Sequence, residues 1–107
     1  MSDSRIAVDA MGGDYAPKEI VAGTVLAART LRGISKLFLV GDEAAIRREL
    51  AGLGGDVPGI IEIRHASEVV QMNESPATAI RRKRDSSISR AVDLIKAGEA
   101  DAVFSAG

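Results

Sequence analysis

An alternation of two periods restricts this chain more than any single motif. Ile6-Ala7-Val8, Leu37-Phe38-Leu39-Val40, Ile60-Ile61-Glu62-Ile63 and Ala102-Val103-Phe104 are short apolar runs of strand length. Between them lie stretches with apolar residues at helical spacing. Three of the four runs have no polar residue, the pattern of parallel strands covered on both faces. Parallel neighbours need crossover connections, and these are right-handed. The order strand, helix, strand, helix, strand, helical region, strand therefore predicts an α/β fold. It is a Rossmann-like open, mostly parallel sheet with flanking helices.

Helix boundaries follow from end signals. Pro17 suits a first helical position with Glu19 in the first turn, both favourable at the positive end of a helix. Ile20, Thr24, Ala27, Ala28 and Leu31 then form its inner face, and Gly33 ends it. Asp42 is the expected cap of a second helix with Ile46, Leu50 and Leu53 inward and Gly54-Gly55 as its stop. Ser75-Pro76 reads as a cap and first helical residue. Ser86 or Ser87 caps a further helix with Ile88, Ala91, Val92 and Ile95 inward and Gly98 at its end. The glycine-rich segment 52–59 is expected to be a surface loop.

Composition removes several function classes. With 46% hydrophobic residues, disorder along the whole chain is not expected. The three aromatics, Tyr15, Phe38 and Phe104, are too few for a base-stacking surface. The absence of cysteine excludes a disulfide scaffold, a thiol nucleophile and a zinc–thiolate site. One histidine, His65, offers little to a metal, and no metal site is expected. No signal-like or membrane-length apolar run occurs, so a cytoplasmic location is the expectation.

Charge is uneven. Residues 1–75 carry 8 Lys/Arg against 11 Asp/Glu, and residues 76–107 carry 6 against 4. Four of those six are consecutive, Arg81-Arg82-Lys83-Arg84. A small basic spot on an acidic chain points to a local anion site and not to nucleic acid.

Two segments are candidates for that site. Asp9-Ala10-Met11-Gly12-Gly13-Asp14 follows the first strand. Paired glycines let backbone N–H groups approach an anion at a helix start. The pattern matches neither the dinucleotide nor the Walker fingerprint, and a plain βα turn that uses glycine for positive φ competes with it. In the second segment, Arg81-Arg82-Lys83-Arg84-Asp85-Ser86-Ser87, arginine forks, a lysine and a serine pair suit phosphate or carboxylate. If residues 81–84 are extended, Arg81 and Lys83 face one way and Arg82 and Arg84 the other. A solvated charge run before an ordinary helix is the competing reading. His65 is a weaker candidate at the tip of the third strand, and Ser105-Ala106-Gly107 resembles the start of an anion loop. No Ser-His-Asp order or carboxylate pair stands out.

Taken together these strings are specific. Residues 6–17, Ile-Ala-Val-Asp-Ala-Met-Gly-Gly-Asp-Tyr-Ala-Pro, resemble the opening of the bacterial phosphate acyltransferase (PlsX) family. Leu39-Val40-Gly41-Asp42-Glu43, His65-Ala66-Ser67-Glu68-Val69-Val70, the segment from Ser75 to Ser87, and Gly98-Glu99-Ala100-Asp101-Ala102 are similar to that family in order and spacing. The resemblance implies a fold like that of isocitrate dehydrogenases and phosphotransacetylases. It also implies a longer chain, so residues 1–107 are expected to be the N-terminal βα portion of a larger single α/β catalytic domain.

The implied reaction is acyl-ACP plus inorganic phosphate giving acyl phosphate and free acyl carrier protein, with no cofactor. The implied partners are acyl-ACP, inorganic phosphate, a second copy in a homodimer and a downstream membrane glycerol-phosphate acyltransferase. Peripheral membrane association of the full-length protein is implied too. By the same resemblance Arg81 and Lys83 are the expected catalytic cations. Asp9, Gly12, Gly13, Asp14, Arg82, Arg84, Ser86, Ser87, Ser105 and Gly107 are expected at the substrate. Asp14 is expected either to orient Arg81 or Lys83 or to cap the first helix, and Arg82 and Arg84 to face the acidic carrier protein. The 107-residue piece alone is expected to be inactive. The alternatives are an acyl-CoA enzyme of phosphotransacetylase type and a non-catalytic fragment that binds carrier protein or serves structurally.

Overall fold

The structure, a computed structural model, describes residues 3–68, 70 and 74–106. β1 (Ser4–Asp9), β2 (Ile34–Gly41), β3 (Ile61–His65) and β4 (Ala102–Phe104) form one sheet in the order β3-β2-β1-β4. All neighbouring pairs are parallel, with Val8 opposite Leu39 on one side and opposite Phe104 on the other. α1 (Lys18–Thr30) joins β1 to β2, and α2 (Glu43–Leu53) joins β2 to β3. α3 (Pro76–Arg82) and α4 (Ser87–Lys96) lie between β3 and β4. The Rossmann-like parallel sheet read from the sequence is therefore present.

Strand residues alternate between two cores because successive side chains leave a strand on opposite faces. Val8, Leu37 and Leu39 pack with Val21 and Val25 of α1 and Ile46 and Leu50 of α2. Ala7, Phe38 and Val40 pack on the other face with Ala91 and Leu94 of α4. Both faces of β2 are thus buried, as its apolar run requires. No helix among the described residues is long and apolar enough to cross a membrane.

The helix faces differ in detail from their sequence reading. α1 begins at Lys18, with Pro17 as N-cap residue, and the Pro17 carbonyl accepts the Val21 N–H at 2.8 Å. Its buried residues are Val21, Thr24 and Val25, and Leu31 is 58% exposed. Leu31 has turned to extended backbone (φ −91°, ψ 146°), which takes it off the helical stripe. Leu53, the last residue of α2, is likewise exposed. In α4 the buried residues are Ser87, Ser89, Ala91 and Leu94, while Ile95 is 40% exposed. Two small serines face inward where the first turn of α4 meets the sheet, and this rotates the apolar stripe from Ile95 to Leu94.

Candidate functional site

β1 delivers Asp9 to the carboxyl edge of the sheet, where the side chain is 5% exposed. A buried carboxylate requires donors, and three separate segments supply them. Oδ1 accepts the Met11 N–H at 3.0 Å, a local turn closed by an aspartate two residues earlier. Oδ1 also accepts the hydroxyl of Ser87, the first residue of α4. Oδ2 accepts the hydroxyl of Ser105, just beyond β4, at 2.8 Å.

The glycine turn closes the same corner. Gly13 has φ +94°, and a Cβ there would stand 3.3 Å from the Cβ of Ala106. The β1–α1 loop and the exit of β4 therefore approach each other closely. This corner lies between β1 and β4, where the chain order of the sheet reverses. In open α/β sheets that crevice is where ligands bind. Gly12 and Ser105 are half-buried and Gly13 is exposed, so the corner is reachable from solvent. Gly107 lies outside the described residues.

The basic run sits on a different scaffold. Ser75 caps α3 by accepting the Thr78 N–H at 3.1 Å, with Pro76 at the first helical position. The helix runs through Arg81 and Arg82, and the Lys83 N–H reaches the Ala79 carbonyl at 2.7 Å. Residues 81–84 are thus not an extended segment, and the expected alternation of Arg81 and Lys83 against Arg82 and Arg84 is replaced by a helix end. The capped start at Ser75-Pro76 and continued i→i−4 bonding carry the helix that far. Arg81, Arg82 and Arg84 are exposed and form no ion pair among the described residues. Lys83 is half-buried, with its Nζ 2.5 Å from Glu74 Oε1.

Asp85 anchors this run. Its Oδ2 accepts the Ser67 hydroxyl and the Ser67 N–H (3.0 Å), and Oδ1 accepts Arg90 Nε at 2.6 Å. The Ser67 hydroxyl first, then the Arg90 guanidinium, hold the Asp85 carboxyl down at about 2. Glu68 completes the stitch by accepting the Asp85 N–H, while its own N–H reaches the Asp85 carbonyl, each at 3.0 Å. These bonds tie the loop after β3 to the link into α4.

Other sequence candidates have structural work. Ser86, fully buried, is the α4 cap and accepts the Ser89 N–H at 3.2 Å. His65 Nδ1 accepts the Glu43 N–H at 3.1 Å, so it caps α2, while the Asp42 side chain makes no capping bond. Asp14 is exposed, does not cap α1 and touches neither Arg81 nor Lys83 by any hydrogen bond or ion pair among the described residues. A separate cleft of about 350 Å³ lies between the end of β3 and α4. Its charges pair among themselves, Arg64 with Glu99 and Arg90 with Asp85 and Asp93.

Residues 4–107 match the model of the family described as "Fatty acid synthesis protein". The chain belongs to that family. It is 52% identical over 103 residues to the phosphate acyltransferase of Pelotomaculum thermopropionicum, covering 96% of this chain and 29% of that one. It is 56% identical over 104 residues to the phosphate acyltransferase of Geobacter sulfurreducens, again 96% of this chain and 29% of that one. With the Gloeothece citriformis phosphate acyltransferase it shares 51% over 106 residues, 99% of this chain and 29% of that one. The chain thus spans less than a third of the length of these relatives. Sequence reasoning had named the glycine turn, the serines and the basic run as candidates. It missed Glu74 as the partner of Lys83, Asp85 as the anchor of the run, and Asp9 as the centre on which Ser87 and Ser105 meet. Only the Asp9–Met11 turn had a local signal, an aspartate closing a bond two residues on.

Proposed function

We propose that this chain is the N-terminal part of an acyltransferase that makes acyl phosphate from acyl-ACP and inorganic phosphate. The observation that carries the reading is the 52–56% identity, over 96% of the chain, to proteins named phosphate acyltransferase. The meeting of Gly13, Ser87 and Ser105 at the reversal of strand order supports it, because backbone and hydroxyl groups converge there. Thioester transfer to phosphate needs little from a general base. The nucleophile is already anionic, and the leaving thiol has an ordinary pKa of about 8.5. The protein must supply proximity and stabilise the tetrahedral oxyanion. Arg81 and Lys83 are assigned to phosphate or that oxyanion, with Glu74 holding the Lys83 ammonium until substrate competes for it. Arg82 and Arg84, exposed and without ion pairs among the described residues, are assigned to the acidic carrier protein. The complete enzyme would act as a homodimer at the membrane surface and pass acyl phosphate to a membrane glycerol-phosphate acyltransferase.

The test is a chimaera in which residues 4–107 replace the matching segment of the Geobacter sulfurreducens relative. It should release thiol from acyl-ACP only when phosphate is present, and residues 1–107 alone should not. Arg81→Ala or Lys83→Ala should each lower kcat/KM at least about tenfold, roughly 1.4 kcal/mol. Arg82→Ala with Arg84→Ala should raise KM for acyl-ACP and flatten its salt dependence, leaving KM for phosphate unchanged. A folded chimaera that uses acyl-CoA but not acyl-ACP would replace this reading with an acyl-CoA one.

A further inference from the structure

Exposed arginines do not place themselves, so the position of the basic run depends on the elements at its two ends. α3 is 7 residues long and packs against α4. Ser87, three residues after Arg84, opens α4. Asp85 ties the run to the loop after β3, and Ser87 ties it to β1. We propose that Asp9 is a positioning residue: its carboxylate holds the start of α4, and with it the basic run, in a fixed place relative to the glycine turn. The proposal rests on the acyltransferase reading for the use made of Arg81 and Lys83, and not for the placement itself.

Asp9 ends β1, a strand paired with β2 on one side and with β4 on the other. Its Oδ1 accepts both the Met11 N–H, directly before Gly12-Gly13, and the Ser87 hydroxyl, while Oδ2 accepts the Ser105 hydroxyl. The glycine turn and α4 thus share one oxygen atom, and neither can move from the other without breaking a bond to it. Beside that link, the fully buried Ser86 caps α4, and Ala91 and Leu94 seat the helix on the face of the sheet that carries Ala7. Burying a carboxylate costs more than burying an apolar side chain. What it adds is a defined geometry, because hydrogen bonds are directional and apolar contacts are not.

Geometry matters here because a misplacement of about 1 Å at reacting groups can cost on the order of a hundredfold in rate. Attraction between exposed charges varies slowly with distance, so carrier-protein docking tolerates the same shift. Asparagine separates position from charge at residue 9. Its carbonyl oxygen can accept the Met11 N–H and the Ser87 hydroxyl, and its amide can donate to Ser105 Oγ. Alanine keeps none of these bonds.

The experiment compares the full-length chimaera with its Asp9→Ala, Asp9→Asn, Ser87→Ala and doubly substituted Asp9→Ala, Ser87→Ala forms. Two quantities are read: phosphate-dependent thiol release, and brief trypsin digestion of the folded protein with the cuts mapped by mass spectrometry. Cleavage at 81–84 reports release of the run, and cleavage at Arg47-Arg48 of α2 is the reference within the same molecule. Asp9→Ala should lower kcat/KM for phosphate at least about tenfold and raise KM for phosphate, which a smaller folded fraction would not change. KM for acyl-ACP should stay within about twofold. Cleavage at 81–84 should rise at least about fivefold relative to 47–48. Asp9→Asn should return both readouts to within about threefold of the parent. Ser87→Ala should shift both in the same direction as Asp9→Ala, and it carries the test if Asp9→Ala does not fold. The double form should be within about twofold of Asp9→Ala, since both changes remove one bond. An Asp9→Asn protein as damaged as Asp9→Ala would overturn the proposal by assigning the effect to charge. Fully additive losses would overturn it too. So would a fall in kcat alone with cleavage rising equally at both sites, because Asp9 would then only hold the fold together. An unsubstituted chimaera that releases no thiol, with cleavage at 81–84 still selective in Asp9→Ala, would remove the acyltransferase reading and retain the placement.

Discussion

At the residue scale two positions carry consequences that can be measured. Gly13 has φ +94° and sits where a Cβ would press on Ala106 at 3.3 Å. Left-handed backbone costs a residue with a side chain about 1–2 kcal/mol, so Gly13→Ala should destabilise the protein by at least that much in urea unfolding. Asp85 carries a pH dependence. Its carboxyl is held at about 2 against an ordinary 3.8 by Ser67 and Arg90. A group whose folded pKa is depressed adds stability above its unfolded pKa and loses it as pH falls through the folded one. Asp85→Asn should therefore be less stable than the parent at pH 7, and the two should converge as pH drops below about 2. A constant gap down the acid limb would assign the loss to packing instead. The sequence showed both positions as residue types but could show neither as a neighbour. Ser67 stands 18 residues before Asp85 and Ala106 stands 93 after Gly13, and such contacts have no local pattern.

At the scale of elements, end signals read better than faces. Ser75-Pro76 and Ser86 open α3 and α4 where the residue types say they should, since capping needs only a side-chain oxygen and amides two or three positions on. Ser86→Ala should cost about 1 kcal/mol, read as a lowered urea midpoint with an unchanged slope. Asp42 occupies the expected cap position of α2, yet His65 from the end of β3 makes the bond. The helix faces were legible to within one residue. Val21 and Val25, not Ala27 and Leu31, fill the core beneath α1, and Leu94 replaces Ile95 beneath α4. Rotation about a helix axis is set by what the opposite surface offers, and the apolar residues of one helix do not contain that information. The same holds for the basic run. Whether Arg81 and Arg82 end a helix or begin an extended segment depends on a cap six residues earlier.

For the whole molecule, β2 bears the load because both its faces are covered. Leu39, on the α1–α2 side, is fully buried. Leu39→Ala should cost about 2–5 kcal/mol, a large part of the 5–15 kcal/mol that holds a typical domain together. Differential scanning calorimetry would report it as a strongly lowered midpoint; a shift of only a degree or two would mean that the two cores unfold separately. The apolar runs and helix signals by themselves determined the class, the number of strands and the parallel direction. Each follows from periods of 2 and 3.6 and from the length of chain between runs. The tertiary structure alone decided the order β3-β2-β1-β4, and with it the crevice where Asp9 gathers Ser87 and Ser105. Those serines lie 78 and 96 residues from Asp9. Placing β4 beside β1 rather than beside β3 depends on which sheet edge the α4 face can cover, and that choice is made by packing between surfaces, not by any stretch of sequence.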